Sequence, residues 1–504
     1  MRTTFTTRTA ALFVLLLATT LFSCKKDNSD PLADKPDLMF TALTSTGTLQ
    51  SYNANNLGMM PNSINITGLQ SGETLLAIDY RPATGQLYGL GSTSRIYTIS
   101  SSGKATAIGA GPFTPALSGS VAGFDFNPTV DRIRIVTTSG QNLRAHPETG
   151  AVAVVDGNIN GVAGASISSV AYTNSKAGAA STVLFDIDVT AKKLYKQDPP
   201  NAGTLVEVGS LSFTGSATES SFDISPSGIA LASVGNGSTS ALYQINVENG
   251  TTVSLGNFPN TIVGIAIPTE PVAYAVDESN NLMIFNPEKA DIITKAITGM
   301  QAGETIHGID FRPVNGQLYA LGSTSRIYTI NLSSGAAAQV GMSPLVTLLS
   351  GTSFGFDFNP VVDRIRVISN TGQNLRLDPN TGLIAAVDGS LNPGSPSVSA
   401  GAYTNNFPGT TTTTLFDIDS GNDKLYKQDP PNAGGLVEVG SLGVDAQAAN
   451  GFDIGGTSGM AYAVLTVGGA TRLYTINTTT GMATVKSGVS FNSPVRGFAM
   501  GLGF

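Results

Sequence analysis

Short apolar runs that alternate with polar residues fill most of the chain, and turn residues separate them. Gly123-Phe124-Asp125-Phe126, Arg132-Ile133-Arg134-Ile135-Val136, Asn142-Leu143-Arg144 and Ala151-Val152-Ala153-Val154-Val155 follow one another at hairpin spacing. Period-two alternation bounded by Gly, Pro, Asn and Asp predicts four antiparallel strands. Comparable first strands start at Ile78, Phe124, Val170, Phe222 and Ile265, then at Ile309, Phe356, Gly401, Phe452 and Phe498, with 43 to 52 residues between successive starts. Four strands per ~45 residues is the unit of a β-propeller blade. The pattern therefore predicts an all-β propeller of ten four-stranded blade units. Helical periodicity is absent beyond the N-terminal segment.

A longer repeat overlies the shorter one. Ile78–Ile99 (IDYRPATGQLYGLGSTSRIYTI) matches Ile309–Ile330 (IDFRPVNGQLYALGSTSRIYTI), and Gly123–Gly150 matches Gly355–Gly382, at offsets of 231 to 232 residues. The chain is a duplication, divided here into 37–270 and 271–504. It starts at Asp37 with the later strands of a blade and stops with Val495–Phe504, a lone first strand, so the C-terminal strand is expected to complete the first blade. Ile262–Pro268 could instead close the first half by itself. The following segment, Ile267-Pro268-Thr269-Glu270-Pro271-Val272, has the length of an ordinary hairpin, and a few residues span only ~10 Å. That length favours one ten-bladed ring over two five-bladed propellers.

The pattern IDYRPATGQLYGLGSTSRIYTI, followed by GFDFNP-x-VDRIRI/V and QNLR-x-x-P-x-TG, resembles the bacterial family known as domain of unknown function 4394, present twice. The resemblance implies a propeller-like fold and no particular chemistry.

Composition narrows the setting. Charged residues are 12% of the 504, the net charge is −8, and no Lys/Arg-rich run occurs, so a nucleic-acid partner is not expected. Arg2 and Arg8 precede an apolar run from Ala11 to Phe22, too short to span a bilayer as a mature helix, which reads as an export signal over residues 1–23. It ends in Leu21-Phe22-Ser23-Cys24, and Cys24 is the only cysteine. This resembles a bacterial lipoprotein signal, in which Cys24 carries the lipid and residues 24–36 form a polar tether. Two or more acyl chains anchor firmly. Lysine directly after Cys24 implies, by the same resemblance, the outer membrane, at its surface or its periplasmic face. No thiol then remains for catalysis or a disulfide.

Candidate chemistry is sparse. His146 aligns with Asp378 and His307 with Leu76, so no histidine is duplicated and no nucleophile elbow accompanies either one. Aspartates recur in the first strands at Asp79, Asp125, Asp223, Asp310, Asp357 and Asp453. Buried acids need partners, and Arg132 or Arg134, with Arg364 and Arg366 in the second half, are expected to supply them. The other reading places these acids on the channel for acid/base work or a metal. Asp417 to Asp423 clusters oxygen ligands but lacks EF-hand spacing and reads as a surface turn. The ten residues LYKQDPPNAG occur at Leu194–Gly203 and again at Leu425–Gly434, and read as a duplicated structural turn.

Loops between second and third strands and between blades, such as Gly91–Arg95, Thr137–Asn142, Gly109–Ser120 and Asp156–Ser168, offer hydroxyl and amide side chains to a glycan or protein. The expectation is a membrane-anchored extracytoplasmic binding protein with a glycan, peptide or protein ligand on this loop face, no cofactor, no metal and no assigned catalytic residue. The alternatives are a carboxylate-dependent hydrolase or lactonase-like enzyme at the channel, and a structural scaffold.

Overall fold

The computed structural model describes Met1 and residues 35–59, 61–119, 121–448 and 450–504. The export signal, Cys24 and the tether as far as Asp34 lie outside the described residues. The described chain forms ten four-stranded antiparallel sheets, with no α-helix. Each sheet is one blade, and its strands follow in chain order except in the two blades where a half begins.

Those two blades decide the ring number. Met39–Thr44 pairs with Ile262–Ala266, in the register Thr41↔Ala266 and Ala42↔Ile265. Ala273–Asp277 pairs with the C-terminal Val495–Met500, in the register Tyr274↔Ala499 and Ala275↔Phe498. The last strand therefore completes the first blade of its own half. The inner strands Leu75–Tyr80, Ala122–Asn127, Ser169–Tyr172, Glu219–Ile224 and Ile262–Ala266 neighbour one another in a circuit, and Ile306–Arg312, Phe354–Asn359, Val398–Tyr403, Gly451–Ile454 and Val495–Met500 form a second. The expected single ring of ten, with Val495–Phe504 in the first blade, is corrected to two propellers of five. Each half removes its own open edge, which an unpaired inner strand would otherwise present.

The two propellers meet through turns that join first to second strands. Arg81 Nη1 donates to the Gly316 carbonyl at 3.1 Å, and the Tyr274 hydroxyl donates to the Ala83 carbonyl at 2.8 Å. Gly503 N–H reaches the Thr84 carbonyl at 2.8 Å, which ties the C-terminal tail to the same turn. Ala83 packs into a second-half core with Val272, Tyr274, Ile306 and Phe311. Within each propeller, apolar alternate positions bury between blades. Tyr88 meets Phe126 edge-on at 5.0 Å, and Tyr319 meets Phe358 likewise at 5.1 Å. Such pairs add about 0.5–1.5 kcal/mol beyond area burial.

The duplicated DPPNAG segment is architecture. Pro200–Ala202 and Pro431–Ala433 form 3-10 turns closed by Gly203 and Gly434, both at φ 72°, a left-handed conformation that suits glycine. Asn201 accepts from Arg134 Nη2 at 2.9 Å, and Asn142 Nδ2 donates to the Pro200 carbonyl at 3.1 Å, so the turn is stitched to the preceding blade. Asn432, Arg366, Asn374 and Pro431 repeat these bonds in the second half.

Candidate functional site

Inner strands carry two kinds of residue on one face. Two positions before each aspartate or its equivalent stands a small residue: Ala77, Gly123, Ser169, Ser221 and Gly264 in the first propeller, and Gly308, Gly355, Ala400, Gly451 and Gly497 in the second. Close approach explains the glycines. A Cβ on Gly451 would lie 2.6 Å from Phe498 Cβ, and one on Gly497 would lie 2.8 Å from the Ile309 nitrogen. Inner strands this close leave only about 10 Å³ on the axis of the second propeller, space for about one water.

The aspartates reach from that face to the next blade. Asp79 accepts from Phe126 N at 2.9 Å, Asp125 from Tyr172 N at 3.2 Å, and Asp223 from Ile267 N at 2.5 Å. In the second half Asp310 accepts from Phe358 N at 2.7 Å, Asp357 from Tyr403 N at 3.0 Å, and Asp453 from Met500 N at 2.6 Å. Asp79, Asp223, Asp310 and Asp453 also take the N–H of the residue that follows them. Innermost strands have N–H groups on their free edge, and such donors, once buried, need acceptors. The carboxylates are blade-to-blade latches.

Three latches per propeller fall together. Asp79, Asp125 and Asp223 place oxygens within 4.8 Å of one another, as do Asp310, Asp357 and Asp453, and all six are buried. Burial, then neighbouring carboxylates, holds Asp79, Asp125, Asp310 and Asp357 well above the ordinary carboxylate range. Asp223 and Asp453 are pushed up to about 7 by burial, against the pull of their two backbone N–H bonds. In each triad backbone N–H groups bond five of the six carboxyl oxygens.

The expected acid–arginine pairing does not occur. Arg134 lies opposite Asp125 in the sheet but extends outward to Asp156 at 2.7 Å, Asn142 at 2.6 Å and the Tyr172 hydroxyl at 3.2 Å. Arg366 does the same with Asp388, Asn374 and Tyr403. Arg132 donates to the Asp131 carbonyl, and Arg364 to the Asp363 carbonyl, with Asp378 at 3.4 Å. Side-chain length is the cause. The short aspartate meets the neighbouring backbone, while the long guanidinium leads away to the outer strands. Asp186 and Asp417 are buried without a hydrogen-bond partner among the described residues, and burial raises both carboxyls. The surface turn expected over Asp417–Asp423 is corrected: Asp417 and Asp419 are buried in the strand Leu415–Asp419, the turn starts at Ser420, and Asp419 accepts from Gly421 N and Ser397 N. Sequence reasoning missed Arg81, fully buried and ion-paired with Asp131 and Glu148; its signal was the recurring Arg-Pro after an inner strand.

The halves differ at the loop end of the second channel. A pocket of about 210 Å³ there is lined by Glu278, His307, Phe354, Ser399, Asn450 and Arg496. The strand registers put Leu76, Val263 and Ser45 at the positions of His307, Arg496 and Glu278 in the first half. Arg496 Nη2 lies 3.4 Å from Glu278 Oε1. His307 packs against Phe354 with ring centroids 5.0 Å apart and planes tilted by 34°, and burial, then the Arg496 charge, lowers its pKa, which favours a neutral imidazole at pH 7. His146 lies in a turn between third and fourth strands, where burial, then the Arg132 charge, lowers its pKa against the pull of Asp131.

No curated protein matches the chain. Residues 48–266 and 281–499 each match the family described as Domain of unknown function (DUF4394), and the chain belongs to that family, with two copies in tandem.

Proposed function

We propose that this chain is an extracytoplasmic binding protein, held at the outer membrane through lipid on Cys24, whose ligand is engaged on the loop face of the second propeller. The observation that carries this reading is the asymmetry at the channel mouth. The latch aspartates recur in both halves, while one mouth has Arg496, His307 and Glu278 where the other has Val263, Leu76 and Ser45. The latches keep one structural role in both halves, so a concave polar site where only one half carries an arginine, a histidine and a glutamate points to a ligand. A guanidinium beside amide and hydroxyl groups suits a glycan or peptide that bears a carboxylate.

A carboxylate hydrolase at the channel has less support. The acids are bonded to backbone N–H groups, and the pocket on the axis of the second propeller has room for about one water. The test is a thermal-shift screen of the full chain in detergent, with acidic oligosaccharides, peptides, small lactones and divalent ions. A ligand at 100 times its Kd stabilises by ~2.7 kcal/mol. A shift with an acidic ligand that disappears in Arg496→Ala and His307→Leu is the expected result. A shift with a lactone that survives both substitutions, together with turnover lost in Asp453→Asn, would instead place the chemistry at the latches.

A further inference from the structure

A second cavity lies between the propellers, on the side opposite the loop face. Its volume is about 250 Å³, and both halves line it. Thr41, Ser51 and Asn62 contribute from the first propeller, and Phe407 and Leu502 from the second.

The duplication shows why this space exists. Strand pairing places Thr41 opposite Ser51, and Ser51 opposite Asn62, in one row across the first blade. The same row in the second half reads Tyr274, Ile284 and Ile293. There Tyr274 and Ile284 are buried, Tyr274 with its hydroxyl on the Ala83 carbonyl, Ile293 stays partly exposed, and the counterpart cavity is about 110 Å³. Three large residues in one half thus correspond to three small polar ones in the other. A packed interface alone gives no reason for that exchange, because voids cost stability.

The lining chemistry selects the occupant. None of the side chains lining the cavity is charged. The counterpart, by contrast, has Lys176, Glu270, Lys289 and Asp291 at its wall. Hydroxyl and amide groups from the first propeller stand with the Phe407 ring and Leu502 from the second, and the Tyr80 hydroxyl, bonded to Thr41 Oγ1 at 2.9 Å, adds a further donor and acceptor. A neutral ligand with apolar C–H faces and a hydroxyl rim matches such walls, whereas an ionised one would lose hydration without a counter-charge. We infer that the cleft between the propellers binds a neutral saccharide, at a site separate from the channel mouth.

Calorimetric titration of the full chain, in a detergent without a sugar headgroup, tests this with maltose, cellobiose and N,N′-diacetylchitobiose as probes. Thr41→Tyr copies the filled half. The double substitution Ser51→Ile with Asn62→Ile copies it through exposed positions and keeps the test valid if Thr41→Tyr does not fold. Binding of at least one probe by the parent, weakened about tenfold or more by the folded cleft variants, is the expected result. Binding that is unchanged in those variants overturns the assignment, as does failure of every probe to bind the parent.

Discussion

Replacing Asp223 by asparagine tests the latch account through pH. Asp223, 3% exposed, accepts from Ile224 N at 2.6 Å and from Ile267 N at 2.5 Å, and its pKa stands at about 7 against 3.8 for an unburied aspartate. The native state therefore holds a proton between about pH 4 and 7 that the unfolded chain has released. Stability from this group is full below pH ~4 and falls as pH rises, by about 1.4 kcal/mol per unit, until the folded pKa is passed. Three units amount to about 4 kcal/mol. Asp223→Asn removes the titration and leaves one N–H facing an amide NH₂, a pH-independent cost of about 1–3 kcal/mol. Urea unfolding between pH 5 and 7 measures both effects, followed by far-ultraviolet circular dichroism because the chain has no tryptophan. Carboxylates with lowered pKa, such as Asp388 and Glu73, titrate below this window. His146 and His307, whose pKa values are lowered, slope the opposite way, but equally in both proteins. The parent should lose stability more steeply than the variant, by about 1.4 kcal/mol per pH unit. Parallel pH profiles would refute the reasoning.

Three further outcomes follow from the same geometry. Arg134→Met leaves Asp156 with Arg144 alone and strips Asn201 of its donor, so it should destabilise by about 3–5 kcal/mol in urea unfolding. Gly451→Ala puts a methyl group 2.6 Å from Phe498 Cβ and should lower stability by about 1–3 kcal/mol, whereas Gly111→Ala, with nothing within 4 Å, should be neutral in the same assay. A fragment of residues 35–270 should fold alone with the β-sheet spectrum of the parent. A fragment that stops at 261 should not, because Met39–Thr44 loses its pairing partner.

Much of this architecture was legible in the letters because propeller blades repeat. Alternation located the strands, and self-similarity located the blades and the duplication. The site was less legible. Asp125 and Arg134 face each other in register, which sequence periodicity can suggest, but the partner of Asp125 is the Tyr172 N–H on the next blade. Backbone donors have no letter of their own. Glycine gave the available hint, since the small residue two positions before each acid implies a neighbouring strand close enough to bond.

Ring number shows where a sound length argument met an unseen geometry. Residues 267–272 are indeed too few to cross between two discs placed side by side. Ile262–Ala266 is an inner strand, however, and it ends at the face on which the propellers touch, while Ala273–Asp277 begins at that same face. The crossing is only as long as an ordinary first hairpin, because Tyr274 already contacts Ala83 across the boundary. Duplication thus kept the hairpin length and changed its job: the segment that would join two strands of one blade now joins two rings. The strand it follows is free to close the first ring, and Val495–Met500 closes the second. The cleft at Thr41, Ser51 and Asn62 then follows from the same contact, since it lies on the shared face, at the row where the first half lacks the bulk that seals the second.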